Sequence, residues 1–145
     1  MDFFSSMNVS SSALTAERTR MNLISSNLAN ANTTRTPEGG PYKRKDAVFA
    51  ASPVESRFNR ALDGATAQQV RTVEVSEIIE DQSAPRLQYD PGNPDANPQG
   101  YVAMPNVNVV EEMADMIGAT RAYEANVTAV QAAKSMAMKT LEIGK

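Results

Sequence analysis

Two seven-residue recurrences, one near each end of the chain, restrict the fold more than any other feature. In residues 5–30, which contain neither Pro nor Gly, Met7, Leu14, Met21 and Leu28 recur every seven positions. That spacing predicts an α-helix with a narrow apolar stripe, because seven residues return the chain to one face after two turns. The companion row of Phe3, Ser10, Glu17 and Ile24 is polar in its middle, so such a helix is marginal by itself. The second recurrence occupies residues 108–143. Val109, Met116, Tyr123, Val130 and Ala137 form one row there, and Met113, Thr120, Val127, Lys134 and Leu141 the other. Asn108 followed by Glu111 reads as a capping box after Pro105. Glu111, Glu112 and Asp115 crowd its first turns while Lys134, Lys139 and Lys145 lie toward its end, as the helix dipole favours. A helix of about 36 residues extends about 54 Å, longer than a small globular domain.

Between these segments the period changes. "VRTVEVSEI" and "RLQYD" alternate apolar and polar residues, and "DAVFA" and "YVAMP" are short β-prone runs, which predicts a small antiparallel unit. Residues 90–100, with Pro91, Gly92, Pro94, Pro98 and Gly100, read as a turn or loop. Residues 52–69 are weakly patterned and read as a loop. The fold class expected is α+β: long terminal helices forming a coiled-coil pair around a small antiparallel β insertion. The corresponding domains are 1–32 with 106–145 for the helical part, and 33–105 for the connecting turn and β part. The β unit is too small to cover both apolar stripes, so these meet each other, other copies, or both.

Composition excludes most chemistry. The chain has no Cys and no His, which removes thiolate sites, the commonest general base and every Ser-His or Cys-His arrangement. No cofactor, metal or catalytic residue is expected, and Glu77 with Glu80 or Glu111 with Glu112 read as solvated faces or cap residues. Asp90 and Asp95 do not have the spacing of an EF-hand loop and read as turn formers. Residues 1–45 carry six basic and three acidic side chains, whereas residues 73–115 carry nine acids and only Arg86 as a base. This asymmetry suits complementarity between subunits better than nucleic-acid binding. Lys43, Arg44 and Lys45 read as a strand edge or subunit contact. The amino-terminal residues show no basic and apolar leader pattern, and no apolar run approaches the length that spans a bilayer.

Two blocks carry a family resemblance. "SALTAERTRMNLISSNLANANTTRTPEGGPYKRKDAVF" at 12–49 contains "SSNLANANT", which is similar to the signature of flagellar rod and hook proteins. Together with "YDPGNPDANPQGYVAMPNVN" in the block 89–145, "RTPEGGPYKRK" narrows the resemblance to the FlgC family of proximal-rod proteins. The resemblance implies a non-catalytic structural subunit, exported through the flagellar type III apparatus without a cleaved signal peptide and assembled helically into the periplasmic rod of the basal body. It also implies terminal helices that pair as an inner coiled-coil layer, with β structure farther out. Other FlgC copies and FliE, FlgB, FlgF and FlgG are the implied neighbours.

Expected assembly residues are the stripe positions Met7, Leu14, Met21, Leu28, Val109, Met113, Met116, Tyr123, Val127, Val130 and Leu141. Asn27, Asn30 and Asn32 join them as polar fasteners where the first helix stops, where Asn also tolerates the left-handed backbone. The alternative reading is a soluble helical export chaperone or adaptor that buries the same stripes in a stable dimer.

Overall fold

The computed structural model describes residues 3–53 and 71–143. Helix α1 spans Phe3–Ala29 and helix α2 spans Val109–Ile143. Between them lie strands β1 (Lys45–Pro53), β2 (Arg71–Glu80), β3 (Arg86–Tyr89) and β4 (Tyr101–Met104). β1 pairs with β2, and β3 with β4, in two separate two-stranded sheets. The long helices pack together with the small antiparallel sheets inserted between them in sequence. Most of the segment read as an unpatterned loop lies outside the described residues.

α2 starts where the capping residue puts it. Asn108 Oδ1 accepts from the Val110 amide at 3.1 Å, and the Asn108 carbonyl accepts the first helical bond from Glu112 N at 3.0 Å. At the end of α1 the polar run works as expected in part. Asn30 Nδ2 donates to the Ser26 carbonyl at 2.9 Å, and Thr33 Oγ1 donates to Asn30 Oδ1 at 3.2 Å. The left-handed conformation is not used by Asn27, Asn30 or Asn32, since no described residue other than Gly has a positive φ. Tight turns end the helix instead, through Ala31 N to Leu28 O at 3.3 Å and Thr33 N to Asn30 O at 3.0 Å.

The β3–β4 hairpin is antiparallel, with Arg86 opposite Met104 and Tyr89 opposite Tyr101. The two Tyr rings meet edge to face with centroids 5.3 Å apart, a favoured aromatic geometry. Its connection is held by side chains imitating backbone turns: Asp90, Asn93 and Asn97 each accept the amide two residues on. The Asp90 carboxylate is thus committed to turn geometry, while Asp95 Oδ2 accepts from Thr34 Oγ1 at 2.8 Å. Gly100 closes the loop with φ of 84°. A Cβ there would stand 2.9 Å from Tyr89 Cε2, so both backbone and packing require Gly.

By internal contacts the chain divides into two compact units, each drawing on both helices. The first comprises Met1–Thr19, Phe49–Ser76 and Thr120–Lys145, and the second Arg20–Val48 and Glu77–Ala119. Among the described residues of the first unit, the buried apolar side chains are Ala16 and Ala133. The second unit buries Ile24, Ala31, Val102, Val107 and Ala119, together with Asn27 and Glu112.

Candidate assembly interface

Among the described residues, the buried polar side chains meet in a junction inside the second unit. Asn27 on α1 is 0% exposed and Glu112 on α2 is 1% exposed. Burying such groups is tolerable only when their hydrogen bonds are satisfied, and here they are. Asn27 Nδ2 donates to the Lys45 carbonyl at 2.9 Å and to Glu112 Oε2 at 3.0 Å. Its Oδ1 accepts from the Lys45 amide and the Tyr42 hydroxyl, each at 3.0 Å. All four positions of the amide are filled, so Asn27 grips the backbone of β1 as a neighbouring strand would.

The charge of Glu112 is compensated by Arg44, whose Nε donates to Glu112 Oε1 at 2.6 Å. Arg44 also pairs with Asp46 at 3.0 Å and with Asp115 at 3.7 Å, and Asp115 reaches Arg20 on α1 at 4.0 Å. Burial by itself lowers the Arg44 pKa, but hydrogen bonds to Glu112 and Asp46 outweigh it and hold the guanidinium above its ordinary value. The Arg44 amide donates to Asn106 Oδ1 at 3.0 Å, and the Arg44 carbonyl accepts from Asp81 N at 2.8 Å. One residue therefore ties α2, β1 and the segment after β4 together. Asp81 also accepts from the side chain and backbone of Ser83, which lowers its carboxyl pKa.

The residues singled out by periodicity fall into groups. In the second unit Met21, Leu28 and Met116 are half-buried. In the first unit so are Leu14, Tyr123, Val127 and Val130, while Met7 is at the edge of exposure. Val109, Met113 and Leu141 are exposed, Leu141 by 72%. Asn27 is wholly buried, Asn30 half-buried and Asn32 exposed. Two rows of α2 turn inward: Met116, Tyr123, Val130 and Ala137, as periodicity suggests, and Glu112, Ala119, Asn126 and Ala133, which periodicity passes over.

Sequence reasoning missed Arg44 and Glu112 as partners. Arg44 sits in a basic run that reads as surface, and Glu112 in an acidic helix start that the dipole alone explains. The only local signal was Asn27 itself, a poor helix former amid an amphipathic pattern.

Comparison with known proteins places this architecture. The family described as "Flagella basal body rod protein" matches residues 7–35, and "Flagellar basal body rod FlgEFG protein C-terminal" matches residues 99–143. The flagellar basal-body rod protein FlgC of Bacillus subtilis is 49% identical over 151 residues, with 100% of both chains covered. The FlgC protein of Borreliella burgdorferi is 46% identical, covering 99% of this chain and 98% of its own. That of Salmonella typhimurium is 42% identical with 94% of each chain covered. Among the described residues no helix is long and apolar enough to cross a membrane, and identity at this level over the full length means that the chain belongs to the FlgC family of structural, non-enzymatic flagellar basal-body rod proteins.

Proposed function

We propose that this rod subunit polymerises helically in the proximal rod, the hollow shaft that transmits torque and through which export substrates pass. The observation that carries the reading is a pair of packed terminal helices whose apolar side chains are only partly used within the chain, with Met113 and Leu141 left in solvent. Assembly with other rod subunits follows from the family. The specific neighbours proposed are other copies of this chain, FliE, FlgB, FlgF and FlgG, with delivery by the flagellar type III export apparatus.

In this reading segments 1–32 and 106–145 form the coiled-coil layer, and residues 33–105 stand outside it. Met7, Leu14, Met21 and Leu28 on α1, and Val109, Met113, Met116, Tyr123, Val127, Val130 and Leu141 on α2, contribute to packing within or between subunits. Asn27, Asn30 and Asn32 secure the turn that separates helix from β structure.

The experiment is complementation of a strain lacking the native chain. Leu28→Asp and Val127→Asp are expected to abolish rod assembly and swimming while synthesis continues, because each buries an unpaired charge in the packed layer. Normal swimming by both variants would remove these positions from the seam. Sedimentation of the purified chain as a tight folded dimer at low micromolar concentration would argue for the adaptor mode of using the stripes.

A further inference from the structure

The apolar rows of the two long helices do not distinguish one alignment from the next. Met7, Leu14, Met21 and Leu28 on α1 recur every seven positions, as do Met116, Tyr123, Val130 and Ala137 on α2. Sliding one helix past the other by seven residues, about 10 Å, sets apolar side chains against apolar side chains again. The buried Ala16, Ala119 and Ala133 are too small to oppose the slide by shape.

The junction in the second unit does distinguish the alignments. α1 and α2 run in opposite directions there, since Asn27 meets Glu112 at 3.0 Å and Arg20 meets Asp115 at 4.0 Å. Two consecutive residues, Arg44 and Lys45, clip the helices together. Lys45 is held by α1, its amide and carbonyl bonding to Asn27 at 3.0 and 2.9 Å. Arg44 is held by α2 through Glu112 at 2.6 Å, and by Asn106 just before that helix, whose Oδ1 accepts the Arg44 amide at 3.0 Å. Adjacent Cα atoms are only about 3.8 Å apart, so the clip cannot span a slide of seven residues. If β1 stayed with α1, Arg44 would leave Glu112 and Asn106; if it stayed with α2, the Lys45 amide and carbonyl would leave Asn27. Slid one way, Asn27 arrives at Ala119, which has no hydrogen-bonding side chain. Slid the other way, it passes the start of α2 and reaches the level of Pro105, where Arg20 takes its place beside Glu112 but the clip is broken all the same. Each case strands buried polar groups.

Stability does not account for such a cluster, because well-packed apolar residues in place of a buried ion pair are often neutral or stabilising. Buried polar groups in a helical seam do fix its alignment. We propose that Asn27, Arg44 and Glu112 are positioning residues that select one alignment of α1 against α2, with the start of β1 as the clip. The inference concerns the fold of a single chain and does not depend on the rod reading.

The chain has no cysteine of its own, so introduced pairs can carry nitroxide labels whose separation is read by pulsed electron paramagnetic resonance on the full chain. Two pairs use exposed positions of the second unit: Asn22→Cys with Glu111→Cys, and Ala29→Cys with Ile117→Cys. With Asn27 level with Glu112, the two pairs are offset along the helices in opposite senses. A slide of seven residues therefore lengthens one separation and shortens the other by several Å, whereas loosening without a slide broadens both about the same mean. The native chain is expected to give one separation per pair. Arg44→Met combined with Glu112→Met is expected to unfold at a higher urea concentration than Glu112→Ala, yet to add a second separation to each pair, longer in one and shorter in the other. Unchanged or merely broadened separations in that variant would overturn the proposal. So would several separations from the native chain. Loss of a cooperative urea transition in the Met variant would overturn it as well, by making the junction a source of stability and not of alignment.

Discussion

The two units of the chain stabilise themselves by different means. The second unit buries a saturated polar junction, Asn27 with Glu112 and Arg44, among Ile24, Val102, Val107 and Ala119. Among its described residues the first unit fully buries only alanines, and it leaves Met136, Met138, Leu141 and Ile143 in solvent. Apolar burial stabilises by about 25 cal/mol per Å², so shallow burial of small side chains returns little against the entropy of ordering a helix. The difference lies in the core: one unit is locked by a buried polar junction among larger apolar side chains, and the other buries only small ones, while both leave large apolar side chains in solvent, Val110, Met113 and Ile117 of the second unit among them.

The largest effect expected is at the junction. Glu112→Ala leaves the partly buried Arg44 without its main partner and should cost about 3–5 kcal/mol, read as a fall in the urea midpoint of the isolated chain. Replacing both, Arg44→Met with Glu112→Met, should be less damaging than the single change, since the pair is then removed with its desolvation cost. A double variant worse than the single one would break the account of the junction. Asn27→Ala comes next. It strands the Lys45 amide and carbonyl, and a loss of about 2–3 kcal/mol is expected.

Amide hydrogen exchange on the isolated chain tests the comparison itself. Residues 20–29 and 109–119 should be protected, whereas residues 3–19 and 120–143 should exchange much faster, with the change falling inside each helix. Uniform protection along either helix would break the distinction between the units. Leu141→Asp sharpens it from the other side: at 72% exposure it should move monomer stability by no more than about 0.5 kcal/mol, yet rod assembly should fail. The smallest effect belongs to Asp81, whose carboxyl pKa is held below the ordinary 3.8 by Ser83. A depressed carboxyl stabilises above its unfolded pKa and loses that contribution as pH falls through its folded value. An NMR titration should find Asp81 below that ordinary value, and Ser83→Ala should raise it toward that value without reaching it, because the backbone amide at position 83 still donates.

Several elements were legible from local pattern because their causes are local. Both helices follow from uninterrupted seven-residue rows, Asn108 from capping chemistry, and the 90–100 loop from its Pro, Gly, Asn and Asp content. The inward face of α2 was only half legible. Met116, Tyr123 and Val130 are apolar and show themselves, but Ala119 and Ala133 look neutral and Glu112 looks like surface. Small side chains line the inward face, and at its amino end a compensated carboxylate replaces an apolar group. Conversely Met113 and Leu141 look like core and stand in solvent, because hydrophobicity alone does not say whether a partner lies within the chain or outside it.

By itself the sequence determined the two helices and the β-prone runs between them, the absence of Cys and His side chains, and the family, since these depend on residue identity and short spacing; it missed that Ser52 and Pro53, read as loop, close β1. The tertiary structure alone decided that Asn27 meets Glu112 across 85 residues, and that Arg44 faces inward rather than joining Lys43 in solvent. Those pairings are energetically acceptable only where burial removes water and every hydrogen-bonding group finds a partner. That condition is set by packing among distant segments and leaves no local trace in the chain.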